Sequence, residues 1–203
     1  LNVLESEDLQ AISSAQIRNL TSDQLAGLSA DQIPLLTSTQ VATLSTQQVR
    51  SLTTTQLNAL ESDDLRALTS TQLRSLSTDQ VSGLSLDQIP LLTTGQIAAL
   101  TTEQIRNLSD QIVTALTSEQ VGSLSTSQIQ ALTTAQLNVL ENDDLQALSS
   151  AQIRSLTTDQ ITNLTGTQLQ LLTSSQVSAF TTAQTQSLTS AQLDVGAAQC
   201  DGA

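Results

Sequence analysis

"ALTSTQLRSL", residues 67–76, contains a rule that the rest of the chain repeats. Leucine, two hydroxyl residues, a variable residue, glutamine, a branched apolar residue, two further positions, leucine: the phrase returns every eight residues. Numbered from Thr69 (position 1) to Leu76 (position 8), octads tile residues 5–188 without a gap, 23 in all. Position 8 is Leu in 21 of them, with Ile12 and Phe180 as the other two. Position 5 is Leu, Ile or Val everywhere except Thr185. Position 4 is Gln in 19 octads, Asp at Asp8, Asp64 and Asp144, and Ile at Ile112. Position 1 is Ser or Thr in 20 and Glu at Glu5, Glu61 and Glu141.

Eight residues suit no uninterrupted regular element. In a strand, positions 5 and 8 would point to opposite faces. In a continuous α-helix, eight residues overshoot two turns by roughly 80°, so the apolar stripe would wind around the axis. The chain must therefore break once per octad. The break lies at position 1, because S/T-x-x-Q is a capping box: the hydroxyl receives the N3 amide and the N3 side chain reaches back to the N-cap amide. The apolar residues at positions 8 and 5 then stand as the two halves of a hydrophobic staple. Each leucine closes one helix and staples the next, and each helix is about six residues, or roughly 9 Å, long.

Charge placement agrees. Ten acids, among them Asp23, Asp79, Glu103 and Glu119, occupy position 3, near the helix start. All six arginines (Arg18, Arg50, Arg66, Arg74, Arg106, Arg154) occupy position 6, near its end. This polarity complements the helix dipole and predicts i,i+3 pairs such as Asp63/Arg66 and Glu103/Arg106. A two-turn helix is not stable alone in water, so positions 5 and 8 must be buried between octads. The expected fold is all-α: a solenoid of short helices, one per octad, around a Leu/Ile/Val core, with the hand of the coil left open. Position 7 is mostly small, which lets a neighbouring helix approach. Pro34 and Pro90 at position 6 predict 3₁₀-like or shortened units. "SDQIVTAL", residues 109–116, displaces its Gln by one and is the expected local defect.

A longer repeat lies above the octad. "LNVLESEDLQAI" at 1, "LNALESDDLRAL" at 57 and "LNVLENDDLQAL" at 137 open related blocks, 56 and 80 residues apart. "IPLL" at 33 and 89 and "LQLL" at 169 fall at the same place within each block. The two intervals differ by three octads, which points to three octads per coil, although the seven-octad interval does not fit that number. The pattern predicts a solenoid over residues 1–193 and a C-terminal tail or linker over 194–203, with Cys200 as an incidental thiol. A chain that opens on Leu1 reads as a fragment or a mature form.

Composition narrows the function classes. The formal charge is -13, with no Lys and no His. No basic patch is available to neutralise phosphates, which argues against nucleic acid, and anionic membrane surfaces are repulsive for the same reason. No apolar run approaches the roughly 20 residues of a membrane span. For catalysis the chain offers neither His nor an activated Cys, no phosphate loop and no cofactor motif, so the expectation is a non-enzyme without cofactors. Three acidic clusters (Glu5/Glu7/Asp8, Glu61/Asp63/Asp64, Glu141/Asp143/Asp144) have two readings, calcium ligation or anionic helix capping; the missing glycine turn and low ligand count favour capping. Asn19, Asn107 and Asn163 form sequons that arise automatically wherever Asn occupies position 7. Position 2 is Ser or Thr in 18 octads. Unlike position 1, it has no evident structural task, and the ladder Ser38, Thr46, Thr54, Ser70, Thr78, Thr94, Thr102, Thr126 and Thr134 is the candidate surface for ice, glycan or mineral.

The unit "LTTGQIAAL", residues 92–100, resembles octapeptide (LTTxQIxxL) tracts of large bacterial secreted or cell-surface repeat proteins. It also looks like the "LTxxQ" helix openings of TAL-effector and mesothelin-type repeats, whose units are longer; the DNA-reading loop of the former is missing here. The bacterial resemblance implies an extracellular, adhesin-like spacer, stalk or filament scaffold. Its expected partners are further copies of itself, end to end or laterally, or other surface proteins. Both terminal faces are expected to be apolar, with no polar cap. The alternative is a surface-binding solenoid that uses the position-2 ladder.

Overall fold

Each octad closes on itself before it meets any other. In the computed structural model, which describes residues 5–197, the octad 69–76 forms a helix over Ser70–Ser75. Thr69 is extended (φ -72, ψ 156), and its hydroxyl accepts the Gln72 amide at 3.3 Å. Gln72 Oε1 accepts the Thr69 amide at 2.7 Å, and Leu73 N–H donates to the Thr69 carbonyl at 3.0 Å. Leu76 then leaves the helix in an extended conformation while its N–H still donates to Leu73 O. The extended Leu–Thr pair is the break that the eight-residue period required. The same box recurs at Ser13, Thr37 and Thr93, and again at Thr117, Ser149 and Thr181. Among the described residues there are 22 α-helices, two 3₁₀ helices and no strand. None of these helices is long and apolar enough to cross a membrane.

The exceptions follow from local chemistry. The prolines at position 6 remove an amide donor, and both octads shrink to 3₁₀ helices, Ile33–Leu35 and Ile89–Leu91, as expected. In the second of these octads the Ser85 amide donates to Asn58 Oδ1 at 3.0 Å, which leaves the buried Gln88 Oε1 without a partner. In octad 109–116 the helix Asp110–Thr114 still forms, because Ser109 caps the Ile112 amide at 3.3 Å. Ile112 cannot return the bond, so the predicted defect is confined to half of one capping box.

Position 5 is the centre of the core: Ile17, Leu57, Ile105, Ile129 and Leu137 are completely buried. Position 8 lies just outside it, as at Leu76 and Leu124, both 4% exposed. Burying each of these side chains stabilises by about 1.5–3 kcal/mol, which short helices could not gain singly.

The chain divides into two compact units, Leu1–Asn107 and Leu108–Ala203. Both use the same stacking rule. Helix Ser38–Thr43 packs on Ser62–Ala67 in the first unit, and Ser118–Gly122 packs on Asn142–Ala147 in the second, each pair three octads apart. Hydrogen bonds between coils join residues as few as 25 and as many as 31 apart. A coil therefore takes more than three octads and fewer than four, which corrects the expectation of three. The seven-octad interval between residues 1 and 57 then fits two coils of about 3.5 octads each. Small residues at position 7 allow the close approach. A Cβ on Gly83 would stand 2.6 Å from Thr54 Cγ2, three octads earlier. The last helix runs over Ser190–Ala197, past the expected boundary at Leu193. The remainder of the tail, with Cys200, lies outside the described residues.

Candidate functional site

The chemistry concentrated in this chain is a seam of buried glutamines. Gln72 spends its oxygen on the capping box. Its Nε2 turns the other way and donates to Val41 O at 2.9 Å and Leu44 O at 2.8 Å, both in the octad four places earlier. Gln40 does the same to Leu9 O and Ile12 O (2.8 and 2.7 Å), and Gln96 to Leu65 O and Leu68 O (2.9 and 2.8 Å). In the second unit Gln176 bonds Leu145 O and Leu148 O (2.7 and 2.8 Å), and Gln184 bonds Ile153 O and Leu156 O (2.9 and 2.7 Å). The acceptors belong to positions 5 and 8, the last carbonyls of a short helix, which helical geometry leaves under-bonded. One amide thus caps the start of its own helix and the end of another. Glutamate could supply only the first half, and would bring a charge into a site where Gln72 is 2% exposed.

A second set of bonds closes the carbonyl between those two. Position-6 side chains donate to position-7 carbonyls three octads on: Arg18 Nε to Thr43 O (3.1 Å), Arg66 Nε to Leu91 O (3.0 Å), Asn58 Nδ2 to Gly83 O (2.9 Å) and Gln146 Nε2 to Leu171 O (3.1 Å). Arg66 was expected to pair with Asp63. Its hydrogen bond instead ties one coil to the next.

Two rungs of the seam carry aspartate. Asp64 and Asp144 are buried and have no amide to donate. Each accepts a position-2 hydroxyl from three octads earlier: Ser38 Oγ to Asp64 Oδ1 at 2.7 Å, and Ser118 Oγ to Asp144 Oδ1 at 2.8 Å. Burial holds the Asp64 carboxyl above its ordinary value, opposed by the Ser38 bond and reinforced by Glu61 and Asp63. The acidic clusters are thus divided between surface and seam, with Glu61 and Asp63 exposed and Asp64 inside. The Glu141 amide donates to Asp144 Oδ2 at 3.2 Å, and the Glu5 amide to Asp8 Oδ2 at 3.3 Å, as in the capping reading. Among the described residues no group of acids is gathered closely enough to hold a metal ion.

The hydroxyl ladder runs beside the seam. Thr46, Thr54, Ser70, Thr94, Thr102 and Thr126 are exposed, whereas Ser38, Thr78 and Thr134 are half-buried. Position 2 has structural neighbours that sequence reasoning missed: Ser38 holds Asp64, and Thr54 lies against Gly83.

The ends differ from the interior and from each other, which corrects the expectation of two apolar faces. At the N-terminal end Leu9, Ile17 and Leu25 are buried, and the exposed position-4 groups are polar: Asp8, Gln16 and Gln24. At the C-terminal end Val177 and Leu193 are 48% and 54% exposed. They line an open cleft of about 510 Å³ with Leu169, Leu172, Phe180 and Leu188.

A repeat of one capped helix per octad, stitched coil to coil by glutamine, defines the molecule as a short-helix solenoid repeat protein. The chain belongs to the ALTTAQ repeat family, whose repeat matches residues 1–38, 57–94, 91–126 and 137–174. Three of these matches begin where the longer sequence blocks begin, and residues 131–136 spell the repeat's name. No curated protein matches the chain.

Proposed function

We propose that the chain is a non-catalytic structural scaffold, a spacer or stalk displayed outside a bacterial cell. The observation that carries this reading is the uniformity of the seam. The same glutamine bonds join octads four apart in both units, so an added octad finds its hydrogen-bond partners by the rule its neighbours use. Such an array grows by nearest-neighbour terms, which suits a part whose length is its output. The resemblance to octapeptide tracts of secreted and surface proteins supports an exterior location.

The scaffold reading is tested by lengthening. Inserting a second copy of residues 37–92 after Leu92 adds seven octads, about two coils. Helical ellipticity per residue should be unchanged and the urea midpoint no lower. A lengthened chain that loses ellipticity per residue rejects an extendable scaffold. The location is tested by protease treatment of intact producing cells: an exterior stalk is cut, and a chain protected until lysis is not exterior.

A further inference from the structure

Two ladders of opposite charge run along the first unit with the same steps. Arg18, Arg50 and Arg74 are separated by 32 and 24 residues, and so are Asp31, Asp63 and Asp87. The mean step of 28 residues is one coil of about 3.5 octads, so each ladder carries one charge per coil. Every aspartate follows its arginine by 13 residues, just under half a coil. The arginines therefore stand on one flank of the unit and the aspartates on the other. All six residues are exposed, and none forms an ion pair among the described residues. The Nε groups of Arg18 and Arg74 donate to Thr43 O and Ala99 O at 3.1 and 3.3 Å. Those bonds anchor the guanidinium and leave its two terminal nitrogens for an outside partner.

We propose that copies of the chain associate side by side, with the arginine ladder of one copy on the aspartate ladder of the next. A single exposed ion pair contributes little. Three rungs at one spacing act together and decide which faces meet, because charge complementarity sets register and partner choice more than raw affinity. The flanking charges select the occupant. Asp23 and Asp79 each lie five residues past an arginine of the ladder, so a continuous polyanion laid along that flank would meet carboxylates as well. Separate carboxylates one coil apart fit between them, and this chain carries such a set. On the other flank Glu61 offsets Arg66, so the rung at Asp63 stays acidic. Each copy has a formal charge of -13, but at physiological salt that repulsion is screened beyond about 8 Å, and pairs enclosed between two surfaces are screened less. The contact is heterologous, so it extends laterally rather than stopping at a symmetric dimer. The inference adds a lateral partner to the scaffold reading, and the two fail separately: a lengthened chain can fold while copies ignore one another.

Sedimentation across a concentration series, at about 0.15 M and about 1 M salt, tests it with two variants at exposed positions. R18Q/R50Q/R74Q removes the cations and keeps a donor for the next coil, as Gln146 shows at the same octad position by bonding Leu171 O at 3.1 Å. D31N/D63N/D87N removes the anions and lowers the net charge from -13 to -10. The wild-type chain should associate with rising concentration at the lower salt and dissociate at the higher. Each variant alone should bind itself roughly tenfold more weakly or worse, with its ellipticity unchanged. Mixed, the two should form a one-to-one complex of wild-type affinity that does not extend, because each still carries one intact ladder. A wild-type chain that stays monomeric throughout overturns the proposal. So does a D31N/D63N/D87N chain that associates as well as wild type or better, which would mean that net charge, not the ladders, governs contact between copies.

Discussion

Gln72 and Gln16 occupy the same octad position and return the same capping bond, but only Gln72 is buried. The difference is the coil four octads back, where Gln72 finds Val41 O and Leu44 O; the octad of Gln16 lies fewer than four octads from the first described residue. A glutamine at position 4 is therefore two residues in one: a helix cap by its oxygen and a coil clamp by its nitrogen. The cap is local and survives at the N-terminal end. The clamp is tertiary, and it accounts for the burial.

The largest expected effect separates those two roles. Gln72→Leu removes both, and leaves the carbonyls of Val41 and Leu44 facing a side chain that cannot donate. At roughly 1–3 kcal/mol for each group left unpaired, the loss should be about 3 kcal/mol or more. Gln16→Leu removes only the cap and should cost at most about 1 kcal/mol. Urea midpoints followed by far-ultraviolet ellipticity measure both. Equal losses would mean that the seam contributes nothing beyond capping.

A smaller effect sharpens the same contrast through glycine. Gly83 lies where two coils approach closely, and a Cβ there would stand 2.6 Å from Thr54 Cγ2 and 2.9 Å from Asp79 O. Gly83→Val should destabilise by about 1–3 kcal/mol through overpacking. Gly95 lies in the first turn of its helix, and the nearest atom to its Cβ site is Thr93 Oγ1 at 3.9 Å. Gly95→Ala should stabilise by about 0.5–1 kcal/mol, because alanine enters the helix with less conformational freedom to lose. The opposite signs are the readout, in the same urea titration. A destabilising Gly95→Ala would place a coil contact where none is expected.

The capped octad was legible in the sequence because its determinants lie within eight residues. Hydroxyl, glutamine and two apolar positions specify cap, staple and break, and the 3₁₀ units at Pro34 and Pro90 follow from the missing amide. The coil was not legible in the same way. Three octads per coil came from comparing block lengths, which record duplication, whereas the true value is set by how far Gln72 and Arg66 reach. One signal did point to the seam. A capping box takes glutamate or glutamine at N3, yet position 4 holds 19 Gln and no Glu. Capping does not explain that exclusion; a buried double donor does. The polar character of the N-terminal face was missed for the same reason, since Gln16 and Gln24 look no different from Gln72 in the sequence.

The subtlest prediction concerns the rung where the clamp is an acid. Asp64 sits at position 4 with its carboxyl buried, its Oδ1 accepting Ser38 and its pKa raised by that burial. The folded chain therefore binds a proton there more tightly than the unfolded chain. The stabilising contribution is fully present below the unfolded value near 3.8 and is lost as pH rises through the higher folded value. Asp64→Asn keeps an acceptor for Ser38, adds donors that can reach towards the preceding coil, and cannot titrate. Relative to wild type, the variant should gain stability as pH rises from about 4 to 7, read as the difference between the two urea midpoints at each pH. A difference that stays flat would show the Asp64 carboxylate to be as well solvated in the seam as in the unfolded chain. The aspartate rung would then be equivalent to the exposed Asp8 rather than to the buried glutamines on either side of it.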